Sequence, residues 1–199
     1  MKEFDVVIIG SGPGGYICAV RCAQLGMKTA IVEKYNSLGG TCLNVGCIPS
    51  KAWLDSSEKF HELTHVFSQH GITAKEVSFD FTKMRERVQK VVNDVSSGVS
   101  FLMKKNKVEV FTGLGSFVDA NTILIKSDKG EESIRGKKIV IATGSKPSAL
   151  PGITIDKEKI ITSTEALSLK EVPKKLIVDR KSTRLNSSHS DRSRMPSSA

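Results

Sequence analysis

Cys42 and Cys47 stand five positions apart in Gly39-Gly40-Thr41-Cys42-Leu43-Asn44-Val45-Gly46-Cys47-Ile48-Pro49-Ser50-Lys51, the stretch richest in reactive side chains. A cysteine reacts as its thiolate, and a nearby positive charge or helix N-terminus favours that form. Lys51 follows Cys47 by four residues, one turn of a regular helix, where its charge would act on a thiolate. Pro49 lacks an N–H and restricts Ile48, so a distorted backbone is expected near Cys47. The residues alone leave three readings open: an exchanging dithiol, inert buried thiols, or a zinc site shared with Cys18 and Cys22. Cys18 and Cys22 fall on an apolar helix and read as small core residues. His61 and His65 lie one turn apart without a third ligand in view, so no metal is expected.

The elements that must position these thiols begin upstream. Phe4 to Ile9 is an apolar run suited to a strand buried on both faces. It leads into Gly10-Ser11-Gly12-Pro13-Gly14-Gly15, which fits G-x-G-x-x-G through Gly10, Gly12 and Gly15. A helix follows, patterned by Ile17, Val20, Ala23 and Leu25 and stopped at Gly26. Thr29 to Val32 is a second strand, closed by the acid Glu33. Gly10 would permit the tight turn, Gly12 the approach of a pyrophosphate, and Gly15 close packing of helix on strand. The helix N-terminus offers free N–H groups to phosphates, and Glu33 can accept from ribose hydroxyls. A cysteine pair directly after such a unit reads as two-electron exchange beside a bound nucleotide.

The combination of GSGPGG, Glu33 and GGTCLNVGCIPSK resembles the pyridine nucleotide–disulfide oxidoreductase family, over about Phe4 to Val178. The resemblance implies an α/β fold: an FAD-binding, Rossmann-like domain with a parallel sheet, a helical segment and a small antiparallel β-meander. It implies that Cys42 and Cys47 form a redox disulfide, Cys42 exchanging with substrate and Cys47 lying against the flavin. Gly10, Gly12, Gly14, Gly15, Glu33, Lys34, Gly40 and Thr41 would contact FAD, with Lys51 near the flavin ring. Ile139 to Pro147 resembles the family's second FAD motif, adding Ala142, Thr143, Gly144 and Ser145. Gly113-Leu114-Gly115 resembles the segment that touches the adenine, adding Gly115. NAD is the implied co-substrate. The implied partners are lipoyl-bearing proteins of 2-oxo acid dehydrogenase or glycine cleavage complexes and a second copy of the chain. Mercuric and glutathione reductase-type enzymes, or a non-enzymatic FAD-binding fragment, are the alternatives. The family's acid–base His–Glu pair and its NAD and interface domains would lie beyond Val178, so this chain alone is expected to be inactive.

The rest of the chain reads as scaffold. Helices are expected over Ala52 to Val66 and Phe81 to Lys105, the second with a stripe of Val88, Val91, Val92, Val95, Val99 and Leu102. Val108 to Phe111, Leu114 to Val118 and Thr122 to Ser127 alternate like short antiparallel strands. The expected organisation is an FAD-binding domain over 1–148, then a linker with the first strand of a second nucleotide domain over 149–178. The Ser/Arg-rich stretch 179–199 lacks apolar periodicity and reads as a foreign, disordered tail. Of the net charge of +9, +4 falls in residues 180–199, and the remainder is ordinary for a globular domain. Nucleic-acid binding is therefore not expected. The chain has no long apolar span for a membrane. Its start, Met1-Lys2-Glu3-Phe4-Asp5, does not resemble a cleavable signal, and a cytoplasmic location is expected.

Overall fold

A strand with apolar residues on both faces is stable only when both faces are covered. The computed structural model, which describes residues 1–147 and 151–178, covers them with different materials. Strand β1 (Lys2–Ile9) turns Phe4, Val7 and Ile9 to one side and Val6 and Ile8 to the other. The first face packs with Ala30, Val32, Phe111, Ile123, Ile125 and Ile134, the second with Ala19, Leu43, Val99, Met103 and Val108.

The elements follow in chain order. After β1 come helix α1 (Pro13–Gln24), strand β2 (Thr29–Glu33), and helices α2 (Gly40–Val45) and α3 (Cys47–His61). A single π turn (Glu62–Val66) and a 3-10 turn (Phe67–His70) lead to the long helix α4 (Phe81–Lys105). Strands β3 (Glu109–Thr112), β4 (Leu114–Phe117), β5 (Thr122–Ser127) and β6 (Gly130–Ile141) close the sheet, and α5 (Ser163–Ala166) lies in the segment after it. The sheet order is β3-β2-β1-β6-β5-β4. β3, β2, β1 and the second half of β6 run parallel, while β5 pairs antiparallel with the first half of β6 and with β4. One twelve-residue strand, β6, thus belongs to both the parallel sheet and the meander. Register aligns Ile9 with Val32 and with Ile141. Gly10, Glu33 and Ala142 therefore leave the sheet together at its carboxyl edge, where open α/β sheets bind ligands.

The mixed α/β architecture agrees with the sequence reading, with four differences. Val108 to Phe111 does not join the antiparallel meander: β3 pairs parallel with β2, because α4 returns the chain to the sheet edge as a crossover helix. α3 ends as an α-helix at His61, and the helix expected to reach Val66 widens into the π turn. Ile17 on α1 and Leu25 at its C-cap are exposed, and the helix meets the sheet through Gly15 and Ala19, whose small size permits close approach. On α4 the buried line is Val88, Val92, Ser96, Val99 and Met103, leaving Val95 and Leu102 at the margin. Ser96 belongs there because its hydroxyl is satisfied, donating to the Leu38 carbonyl at 3.0 Å.

Two local devices fix the remaining pieces. Asp80 caps α4 by accepting from the Lys83 amide at 3.1 Å. Trp53 stacks on Phe81, centroids 4.8 Å apart, and its indole N–H donates to the Leu167 carbonyl at 3.3 Å, holding the segment around α5 against α3. Residues 174–178 form no strand, and Ile177 is 83% exposed. A strand requires a paired neighbour, and this run has none among the described residues. The basic stretch 179–199 and the boundary at 148 lie outside the described residues.

Candidate nucleotide and dithiol site

The loop between β1 and α1 is built on contacts only glycine allows. Gly10 has φ +101°, and a Cβ there would sit 2.3 Å from the Ala142 carbonyl oxygen. A Cβ on Gly15 would sit 1.9 Å from the carbonyl oxygen of Gly10, so the helix closes directly onto the loop. Gly12 and Gly14 instead face open space, with nothing within 4 Å of either Cβ position. The N-terminus of α1 has no side-chain cap and no acid in its first turn. Its amides and partial positive charge are left available to an anion.

Glu33, at the end of β2, is 5% exposed, yet well provided with donors. Its carboxylate accepts from the Ser11 amide at 2.9 Å, the Ser11 hydroxyl at 2.6 Å and the Tyr35 amide at 3.0 Å. A carboxylate offers about four lone-pair positions, so a further donor such as a ribose hydroxyl can still be received. Ser11 is fully buried, and the sequence pattern assigns it no role. Its carbonyl and hydroxyl also accept from the Gly39 amide, at 3.0 and 3.1 Å. One serine thus ties the phosphate-type loop, the acid and the start of the cysteine segment together. The available signal was a small hydroxyl residue inside a glycine fingerprint closed by an acid. Lys34 is exposed and lies over the Tyr35 ring, 4.5 Å from its centroid.

The cysteine segment docks on that loop. Gly40 has φ +58°, and a Cβ there would lie 2.6 Å from the Cα of Gly12. Thr41, beside it, is exposed. Asn44 brackets the segment, donating to the Leu38 and Gly40 carbonyls at 3.1 and 2.9 Å and accepting from Ser37 at 2.7 Å. Cys42 lies on α2 and Cys47 begins α3, with the expected distortion at Gly46 (φ −144°, ψ −117°). A Cβ on Gly46 would meet the Thr41 carbonyl oxygen at 2.8 Å, so the two helices join through another close approach. Pro49 costs no hydrogen bond, because it sits in the first turn of α3, where the N–H groups have no helical partner.

Cys42 and Cys47 are free thiols here, the first half-buried and the second exposed. The Cys42 thiol is pushed above its ordinary value, first by the neighbouring Cys47 thiol and then by burial. The Lys51 charge and the Cys47 amide act in the opposite direction. Two neighbouring thiols on either side of one helix junction suit disulfide exchange.

The second motif meets the first at the sheet edge. The Ala142 amide donates to the Ile9 carbonyl at 2.8 Å, and Gly144 has φ +72°. Thr143 and Ser145 follow in the same irregular stretch. The Gly113 amide donates to the Glu33 carbonyl at 2.8 Å, which brings β4 to the end of β2. Gly115 packs inward, its Cβ position 3.2 Å from Val32 Cγ1. His61 and His65 stack with centroids 4.5 Å apart, and no group of three metal-ligating side chains gathers among the described residues. A cavity of about 430 Å³, lined by Phe4, Asp5, Lys28, Arg135 and Lys137, opens near the amino end of β1 and contains none of the candidate residues.

Comparison with known proteins agrees with this geometry. Residues 4–178 match the family described as pyridine nucleotide-disulphide oxidoreductase. The chain is 51% identical over 177 residues to the mitochondrial dihydrolipoyl dehydrogenase of Pisum sativum, covering 88% of this chain and 35% of that protein. It is 49% identical to the mitochondrial dihydrolipoyl dehydrogenase of Schizosaccharomyces pombe, with 88% and 35% covered, and 50% identical to leghemoglobin reductase of Vigna unguiculata, with 88% and 34% covered. Among solved structures, the Cu(II) complex of the HOCl-induced flavoprotein disulfide reductase RclA from Escherichia coli aligns with a TM-score of 0.73 at 29% identity, over 87% of this chain and 36% of that one. The chain spans about a third of the length of these relatives. The mitochondrial names lend no support to the expected cytoplasmic location. Among the described residues, no helix is long and apolar enough to cross a membrane. With the family matched across the loop, the acid and both cysteines, the chain belongs to the pyridine nucleotide-disulphide oxidoreductases.

Proposed function

We propose that this chain is the FAD-binding, dithiol-bearing part of a dihydrolipoyl dehydrogenase. The observation that carries the reading is the placement of Cys42 and Cys47 on either side of the α2–α3 junction, docked on the Gly10–Gly15 loop. The residues present fit FAD: open space at Gly12 and Gly14 suits a pyrophosphate, and Glu33 keeps acceptor capacity for a ribose. Gly115, Ala142, Thr143, Gly144 and Ser145 would complete the cofactor contacts around the same sheet edge. FAD, when bound, would take the electron pair from the protein dithiol and pass it as hydride to NAD.

The protein's own part is thiol chemistry. Dihydrolipoamide attacks the Cys42–Cys47 disulfide through a mixed disulfide at Cys42, and its second thiol then displaces Cys42. The substrate leaves as a disulfide, and Cys42 and Cys47 hold the two electrons as thiols. Lys51 stabilises the thiolate form by charge. Lipoyl-bearing proteins would be the electron donors, and a second copy of the full-length chain the structural partner.

The reading is tested by titrating thiols in the purified chain before and after reduction, with FAD supplied. Reduction is expected to release two thiols, and Cys42→Ser to abolish that release. An unchanged thiol count, or no flavin retained, would overturn it. Because relatives are about three times longer, this chain alone is expected to give no NAD reduction by dihydrolipoamide.

A further inference from the structure

Helix α1 carries a second pair of thiols, one turn apart. Cys18 Sγ and Cys22 Sγ lie 3.9 Å from each other. Both are half-buried and pack with Val20 and Ala23 against the helix-side core.

A disulfide is not open to this pair. The bond requires Cβ atoms about 3.8 Å apart, whereas residues four apart on a helix hold theirs about 5–6 Å apart. A bridging ion has the opposite requirement. With metal–sulfur bonds of about 2.3 Å, a 3.9 Å separation corresponds to a sulfur–metal–sulfur angle of about 116°. That angle lies between tetrahedral and trigonal, so both sulfurs can ligate one ion without unwinding the helix. No third His, Cys, Asp or Glu joins them among the described residues. Structural zinc takes four protein ligands and does not fit, while soft thiolates alone suit copper(I).

We propose that Cys18 and Cys22 form a two-thiolate site for a soft d10 cation, copper(I), separate from the Cys42–Cys47 pair. Binding forms two copper–sulfur bonds, releases two protons and changes no oxidation state. A third position stays open to a small thiol from solution.

The test uses the full chain carrying Cys42→Ser and Cys47→Ser. It is loaded anaerobically with copper(I), kept reduced by ascorbate, and dialysed against the chelator bicinchoninate. One copper per chain is expected to remain, and the added change Cys22→Ala is expected to lose it with the far-ultraviolet circular dichroism unchanged. Equal retention with and without Cys22, or no retention at all, overturns the proposal. X-ray absorption of the loaded double-serine chain gives a reading that does not depend on the third substitution. Two sulfur neighbours at about 2.3 Å are expected, and a shell of nitrogen or oxygen alone overturns the proposal.

Discussion

At the scale of single residues, Ser11 and the cysteine pair decide the site. The Ser11 hydroxyl is a buried donor to Glu33 and a buried acceptor for Gly39. Ser11→Ala removes one of the three donors that hold the buried Glu33 carboxylate. A hydrogen bond to a charged group contributes about 1.5–3 kcal/mol. A fall of that size in urea-unfolding stability is expected, together with weaker flavin retention. An unchanged midpoint would show that the Ser11 bracket is not needed. The Cys42 thiol is held up first by Cys47, so Cys47→Ala should move its alkylation profile toward lower pH. Lys51→Met removes an opposing charge and should move the profile toward higher pH. Iodoacetamide rates across pH, read by mass at Cys42, check both signs. Movement of the two variants in the same direction would contradict this arrangement of charges and hydrogen bonds.

At the scale of elements, glycine positions separate close approach from open surface. Gly15→Ala drives a methyl to 1.9 Å from the Gly10 carbonyl oxygen, which neither backbone can evade without moving α1 off the sheet. Overpacking of this kind costs about 1–3 kcal/mol or more. Loss of flavin binding with a lowered unfolding midpoint is the expected outcome. Gly98 is the counter-case, exposed in the interior of α4 with nothing within 4 Å of its Cβ position. Gly98→Ala should stabilise the chain by about 0.5–1 kcal/mol through helix propensity alone. Thermal unfolding of the two variants side by side should shift in opposite directions. The same elements show how far the pattern could be followed. The strand–loop–helix–strand unit was legible because its contacts join near neighbours, each with a residue type suited to one backbone task. The α4 line was legible as a helix face but misplaced by part of a turn. Ser96, which the apolar stripe does not include, is buried because Leu38, 58 positions away, supplies its acceptor.

At the scale of the whole molecule, the described residues expose many large apolar side chains, among them Ile17, Leu54, Phe101, Ile141 and Ile177. Exposed apolar side chains of this number favour association between copies. The isolated chain is expected to self-associate. Its sedimentation-derived mass should rise above 21.6 kDa with concentration, and a mass constant over a hundredfold range would contradict this.

The amino-acid order by itself determined the reactive pair, the glycine fingerprint, the closing acid and the alternation of strand and helix. Each depends on residue type at short spacing, where covalent geometry leaves few choices. Tertiary structure decided the parallel partner of β3, the single strand that serves both sheet and meander, and the seat of Gly40 on Gly12. It also decided that Ser11 joins three segments and that two helix thiols face each other at 3.9 Å. Most of these contacts join residues far apart in the chain, and even the helical thiol pair depends on side-chain rotamers. Their existence depends on how the faces of the sheet are covered, which no local spacing records.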